Sequence, residues 1–363
     1  MFETSLHRHK AFWNRQAVDR PVMGIDIGFW LSQRYPRTVE KIREGLITPD
    51  DIPIDAFLKD CDDRYQQHLN QGDYPFVSAP FVAIPWLEAI AGCPIAATRN
   101  SVWAEHPVID LETWRAPESI LDSPWATKLL EIMHALVDHS RGRYGVAPTL
   151  MRGPSDILSA LRGPAQMPID FVDTPELVVP ALEQCARIWE EIARAQLEAI
   201  PQSSDGYMAG DAALRTWAPD KVLWLQEDAL TLLSPSLYRK YLLPIDDRLS
   251  RMFPCIAFHL HGSALWAIDD FVRLPGINVM ELNLEAAKCD VEGTFAGWKK
   301  IQAHKPVVIW RMYGNDLSSW LERVQREFSP AGVSIQISVA DEHEASIVKA
   351  MLFANENHND ETL

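Results

Sequence analysis

The last third of the chain alternates short apolar runs with helical stretches four times in succession, and this alternation limits the available folds more than any other feature. Residues 255–260, 278–282, 306–310 and 333–338 read as buried strands. Helical stretches over 264–272, 294–303, 317–328 and 342–354 follow them in turn. Strands that alternate with helices build a parallel sheet, closed into a barrel or wound open. No linker divides the 363 residues and no glycine-rich dinucleotide or phosphate loop follows a strand. The fold expected is therefore α/β, a single barrel domain over residues 21–355, with an N-terminal helical extension over 1–20 and a polar tail over 356–363.

The first half fits this pattern less regularly. Residues 6–16 read as an amphipathic helix, 21–27 as the first strand and 55–70 as a helix. Residues 75–82 and 96–103 are extended and punctuated by proline, as a strand plus a hairpin or a flap would be. Residues 144–151 read as a strand, after which Ser155 can start a helix. Thr174-Pro175 and Ser234-Pro235 pair a capping hydroxyl with a proline in the first turn, so helices are expected over 175–199 and 235–252. Short strands are expected at 206–209 and 222–225.

Charge narrows the function. Fifty acidic residues against 34 basic ones give a net charge of −16, which opposes binding to nucleic acid and to anionic membranes. No apolar run is long enough to span a bilayer and the N-terminus has no signal-like core. The five cysteines are dispersed, odd in number and never in a C-x-x-C arrangement, as expected of a cytoplasmic protein without a disulfide framework.

The chemistry-bearing feature is His259-Leu260-His261-Gly262, at the end of the apolar run 255–258. Residues i and i+2 of a strand share a face, so both imidazoles point the same way where the strand gives out into a turn. In an α/β barrel that place is the mouth of the active site. Two imidazoles there can hold a metal, shuttle a proton or grip a carboxylate; otherwise one of them bonds a neighbouring loop.

Other candidates lie at strand ends. Asp26 either orients substrate and moves a proton or caps the next segment. Arg152 either clamps an anion or pairs with a loop acid. Adjacent residues on a strand face opposite ways, so only one of Glu227 and Asp228 is expected to be functional, the other serving as a helix cap. Glu281, inside an apolar strand, must be paired or ligated; it is either a ligand beside His259 and His261 or half of a charge pair. Arg311 can bind an anionic substrate at the mouth, with Tyr313 as a hydrogen-bond donor nearby. Among the 13 tryptophans, Trp30, Trp86, Trp103, Trp217 and Trp224 fall in or near expected loops, where they either wall a pocket for a flat or quaternary substrate or pack the core.

Several stretches in order resemble the uroporphyrinogen decarboxylase superfamily. They are Val18-Asp19-Arg20-Pro21-Val22, Arg152-Gly153-Pro154, Leu161-Arg162-Gly163, Trp224 to Asp228, Leu233 to Tyr238 with Leu243-Pro244, His259 to Gly262, and Leu274 to Asn278. The resemblance implies a (β/α)8 barrel enzyme, either a porphyrinogen decarboxylase or a zinc-dependent methyltransferase that exchanges methyl groups with corrinoids. The decarboxylases continue an Arg-Gln-Ala run into Gly-Arg-Tyr, whereas here Arg15-Gln16-Ala17 continues into Val18-Asp19-Arg20. A tetrapyrrole with many carboxylates needs several fixed cations, so that branch fits poorly.

The methyltransferase branch carries a His-x-Cys pair and a later Cys as zinc ligands. On that resemblance His259 is the first ligand and His261 stands in place of the first thiol. Asp341 or His343 stands where the second thiol would be, and Cys289 follows the preceding strand.

The leading expectation is a metal-assisted methyltransferase acting on a small methylated substrate or a corrinoid-bound methyl group. His259 and His261, with Glu281 or Asp341, would hold the metal, and Arg152 and Arg311 would orient an anionic part. The cofactors implied are zinc and a corrinoid (cobalamin) carried by a partner protein; a second copy of the chain is a further candidate partner. Two alternatives remain open at the level of sequence. One is a metal-free decarboxylase or lyase that uses histidine and arginine on a carboxylate substrate. The other is a non-catalytic barrel that binds a ligand or a corrinoid partner.

Overall fold

The computed structural model describes residues 2–211, 215–284 and 290–353, so Cys289 and the tail 356–363 lie outside the described residues. Seven strands form one parallel sheet: β1 (Val22–Ile27), β2 (Met151–Arg152), β3 (Val222–Gln226), β4 (Cys255–His261), β5 (Ile277–Asn283), β6 (Val307–Met312) and β7 (Val333–Val339). Their spatial order is β1-β7-β6-β5-β4-β3-β2. First and last strands are neighbours, as in a TIM-barrel-like α/β fold.

The expected closure into a complete barrel is not observed among the described residues. Val77–Ser78 and Gly145–Val146 form a separate parallel pair, and the free edge of β1 is taken by a loop. Ile25 N–H donates to Gln71 O at 2.9 Å and Asp73 N–H to Met23 O at 2.8 Å, in antiparallel sense around Gly24 and Gly72. Gly72 has φ +115° and a Cβ there would sit 2.5 Å from Met23 O, so only glycine lets the loop lie this close. The expected strand at 144–151 is split for a local reason: Pro148 has no N–H to give a ladder.

Alternation sorts the strand residues into two cores. Ile25, Leu223, Leu225, Ile256, Phe258, Met280, Leu282, Ile309 and Ile335 face the helices and belong to the outer core. Val22, Val222, Trp224, Cys255, Ala257, Val279 and Val308 face inward and make a second core of mostly small residues, with Phe12 inserted from helix α1 (Phe2–Asn14). The N-terminal extension thus closes the lower end of the sheet, and Arg15 donates to the carbonyls of Gln302, Ala303 and His304 at 2.8–3.0 Å. One or two residues further up the strands the inward positions turn polar: Asp26, Gln226, His259, Glu281, Gln336 and Ser338 are all buried. Apolar below and polar above places the chemistry at the C-terminal ends of the strands.

Helix starts follow the expected chemistry in part. Ser234 accepts Leu237 N–H, and Asp290 and Asp341 accept Gly293 and Glu344 N–H. Thr174 precedes the helix Pro175–Ala199 without a side-chain cap. Ser155 does not cap: Gly153 takes that place, and the Ser155 hydroxyl bonds Glu227. The helix expected over 264–272 is mostly a 3-10 turn, Gly262–Ala267, with one α turn after it. No helix among the described residues is long and apolar enough to cross a membrane.

Candidate metal centre

Register puts the site residues abreast. Gln226 pairs with His259 across β3 and β4, and His259 pairs with Glu281 across β4 and β5. All three face inward. A carboxylate inside an apolar strand is costly unless it is paired, and Glu281 is paired: its Oε2 makes a short bond to Nδ1 of His259. A neutral His259 that donates from Nδ1 carries a bare lone pair on Nε2. That nitrogen lies 3.3 Å from His261 Nε2, and the two rings are nearly perpendicular, at 82°.

Asp228 completes the group. Its Oδ1 is 3.3 Å from His261 Nε2 and 3.9 Å from His259 Nε2. Gln226 Nε2 donates to Oδ2 at 2.7 Å, which fixes the carboxylate with Oδ1 toward the imidazoles. Oδ1 is buried and takes no well-aligned hydrogen bond. Burial works to raise the Asp228 carboxyl, but His261, His259 and Arg152 outweigh it and hold the group below the usual carboxylate range. One ligand atom from each of Asp228, His259 and His261 lies within 4.8 Å of the others, the single such grouping found among the described residues.

The donor set, two imidazole nitrogens and one carboxylate oxygen, suits a catalytic zinc with a position left open for substrate. Glu281 fits the role of orienting His259 from behind. The buried and hydrogen-bond-poor Oδ1 is the feature a bound cation would satisfy. No cysteine among the described residues joins the group: Cys61, Cys93, Cys185 and Cys255 are all buried elsewhere, and burial pushes the Cys61 thiol up to about 12 and Cys255 to about 11.

Two cavities flank the cluster. One, of about 330 Å³, has His259, Trp310, Met312, Phe29, Arg34 and Asp26 in its wall. The other, of about 430 Å³, borders Asp228 together with Glu88, Trp103, Arg152 and Asp156.

The remaining candidates occupy distinct places. Asp26 lines the first cavity and is held by Arg34 at 2.9 Å, His68 at 3.1 Å and Arg64 at 3.5 Å. Burial opposes ionisation of Asp26, yet those three neighbours keep its carboxyl below the ordinary range. Arg152 lines the second cavity and pairs with Glu88 at 3.1 Å.

Arg311 does not line either cavity described here. Trp310 and Met312 face the first, so by alternation Arg311 turns outward, pairs with Asp316 at 2.8 Å and lies over the Trp320 ring. Tyr313, next along, packs against the outer core and gives its N–H to Ser338 O. Asp341 caps the last helix and stands apart from the histidines, while Glu281 sits behind His259 rather than among the converging atoms.

Glu227 is buried and accepts the N–H and hydroxyl of Ser155. Trp86, Trp217 and Trp224 are buried core residues; Trp30 is exposed, and Trp103 lines the second cavity. Sequence reasoning passed over Arg34, Asp211, Glu88 and Asp156. Only the Asp at a helix start after Arg152-Gly153-Pro154 carried a local signal, because the others reach the site from distant segments.

No family model matches the chain, and no curated protein matches it. Among solved structures the chain is similar in fold to a methyltransferase from Methanosarcina mazei, with a TM-score of 0.65 over 99% of each chain at 14% sequence identity.

Proposed function

We propose that this chain is a metal-assisted methyltransferase, a distant relative of the uroporphyrinogen decarboxylase superfamily on its corrinoid methyltransferase side. The observation that carries the reading is the convergence of Asp228 Oδ1, His259 Nε2 and His261 Nε2 within 4.8 Å at the strand ends. The fold shared with the Methanosarcina mazei methyltransferase supports it. Zinc is the metal the donor set suits, and a corrinoid-bound methyl group or a small methylated molecule is the substrate class.

When bound, the metal supplies Lewis acidity that lowers the pKa of an accepting thiol or polarises a leaving heteroatom. The chain's own residues do the rest. Glu281 fixes the tautomer of His259, and Gln226 fixes the rotamer of Asp228. Trp310, Met312 and Phe29 give the first cavity apolar walls, and Arg34 with Asp26 adds a charged pair to its lining. The carboxylate-binding arginines that a metal-free decarboxylase would use are already engaged, Arg311 with Asp316 and Arg152 with Glu88.

The test is demethylation of methylcobalamin in the presence of a small thiol, followed by visible absorbance. The expected result is turnover that requires zinc, stops with chelator and is lost in His259→Ala. Turnover that survives chelation and His259→Ala contradicts the proposal.

A further inference from the structure

We infer that the cavity beside His259 takes a small uncharged molecule with an apolar, ring-sized body. Taken with the methyltransferase reading above, on which this second step rests, the methylated substrate is an uncharged ether or thioether rather than a methylated amine or a methylated acid.

The cavity, of about 330 Å³, has room for a single ring. Exposure sorts the residues around it into two groups. Phe29, Val82, Leu150 and Trp310 are half-buried and Met312 is 42% exposed, so the surface a ligand meets is apolar. The carboxylates and the hydroxyl stand behind that surface: Asp26 is 2% exposed, Ser338 4% and the Asp211 side chain 1%.

Those polar groups are already matched to one another. Asp26 is held by Arg34, His68 and Arg64. Asp211 accepts the Tyr35 hydroxyl at 2.5 Å and faces Arg64 at 3.5 Å. Trp310 gives its indole N–H to Ser338 Oγ at 2.8 Å, which fixes the ring in the wall. His259 is held on its far edge by Glu281. A charged ligand group would lose its water here and could gain a counter-charge only by parting one of these buried pairs, which is costly. An uncharged body meets carbon and sulfur instead, with the rings of Trp310 and Phe29 and the Met312 thioether suited to contact another ring.

His259 is the member of the metal centre that borders this cavity. An ether oxygen or a thioether sulfur carries a lone pair that a Lewis acid there can polarise, whereas a protonated or quaternary amine has none. In the transfer, the methyl carbon passes from oxygen or sulfur to a nucleophilic corrinoid cobalt, which supplies the electron pair of the new bond. The pair of the broken bond stays on the heteroatom, which takes a proton from water.

The experiment is isothermal titration of the full chain, in chelator, with para-methylanisole, para-methoxybenzoate and para-methoxybenzylamine, which share a methoxyphenyl body and differ in charge. The expected result is saturable binding of para-methylanisole, with both charged analogues weaker by about tenfold or more. Phe29→Ala and Met312→Ala, at positions outside the buried core, are each expected to weaken para-methylanisole several-fold. Three results overturn the inference: no saturable binding of para-methylanisole, a charged analogue that binds as tightly, or unchanged affinity in both variants. Chelator is present throughout and no turnover is read, so a failure here is distinct from a failure of the metal-assisted reaction.

Discussion

Glu281 and His259 are register partners on adjacent parallel strands, and the Glu281 carboxylate holds the Nδ1 edge of the imidazole. That one bond turns an otherwise costly buried acid into the element that aims Nε2 of His259 at His261 and Asp228.

Glu281→Gln keeps the size of the side chain and removes its charge. The ring then loses its charged acceptor, and zinc affinity is expected to fall by about 10- to 100-fold, the usual effect of losing an outer-shell partner. Competition with a chromophoric chelator measures it, and unchanged far-ultraviolet circular dichroism shows that the fold survives.

Glu227 and Asp228 are adjacent in sequence and opposite in role. Ser155 donates both its N–H and its hydroxyl to Glu227, which is buried beside Asp246 and Asp156. Ser155→Ala strips a donor from a buried carboxylate and is expected to cost about 1–3 kcal/mol in urea unfolding. The same variant is expected to bind zinc as the wild type does. A large loss of zinc with no loss of stability would reverse the two assignments.

Gly153 is fixed by space rather than by dihedral angle. A Cβ there would lie 2.1 Å from Glu227 Oε1 and 2.5 Å from Gln226 O. Gly153→Ala must push back the strand end that carries Gln226 and Asp228, so it is expected to destabilise the protein by about 1–3 kcal/mol and to weaken zinc binding as well. Thermal unfolding and zinc titration of the same sample check both effects.

His9 gives the fold a pH dependence of its own. It is 1% exposed, and burial lowers its pKa to about 4 against the partial support of Asp73. The unfolded chain protonates this residue near 6.5, so between pH 6.5 and 4 the unfolded state binds more protons. Stability therefore falls as the pH drops through that window and stops falling from this cause below it. His9→Gln is expected to remove roughly 3 kcal/mol of the difference in unfolding free energy between pH 7 and pH 4. Urea melts at the two pH values give the number.

Much of the fold was legible because the βα units of the last third obey simple periodicity. The strands expected at 255–260 and 333–338 are observed at Cys255–His261 and Val333–Val339. The shared face of His259 and His261 followed from the same period of two. What was not legible came from register and long-range contact. Gln226 and Asp228 both approach His259, and Glu227 turns to Ser155, but choosing between the two acids requires knowing that Gln226 lies beside His259. Arg311 was expected at the mouth because it follows an apolar run; the start of its strand at Val307 puts it on the outer face instead. Asp341 reads as a ligand in the sequence, whereas in the fold it accepts Glu344 N–H at 2.9 Å as the cap of the last helix. Closure of the barrel failed at β1, where the loop through Gly72 occupies the edge that periodicity had reserved for a strand.

The central claim is that Asp228, His259 and His261 together hold one divalent ion. Zinc titration followed by elemental analysis, on the wild type and on Asp228→Asn, His259→Ala and His261→Ala, addresses it most directly. The account predicts one tightly bound zinc per wild-type chain and loss of that tight binding in each variant, with folding intact. A wild-type chain that retains no zinc, or variants that retain it as tightly as the wild type, would contradict it.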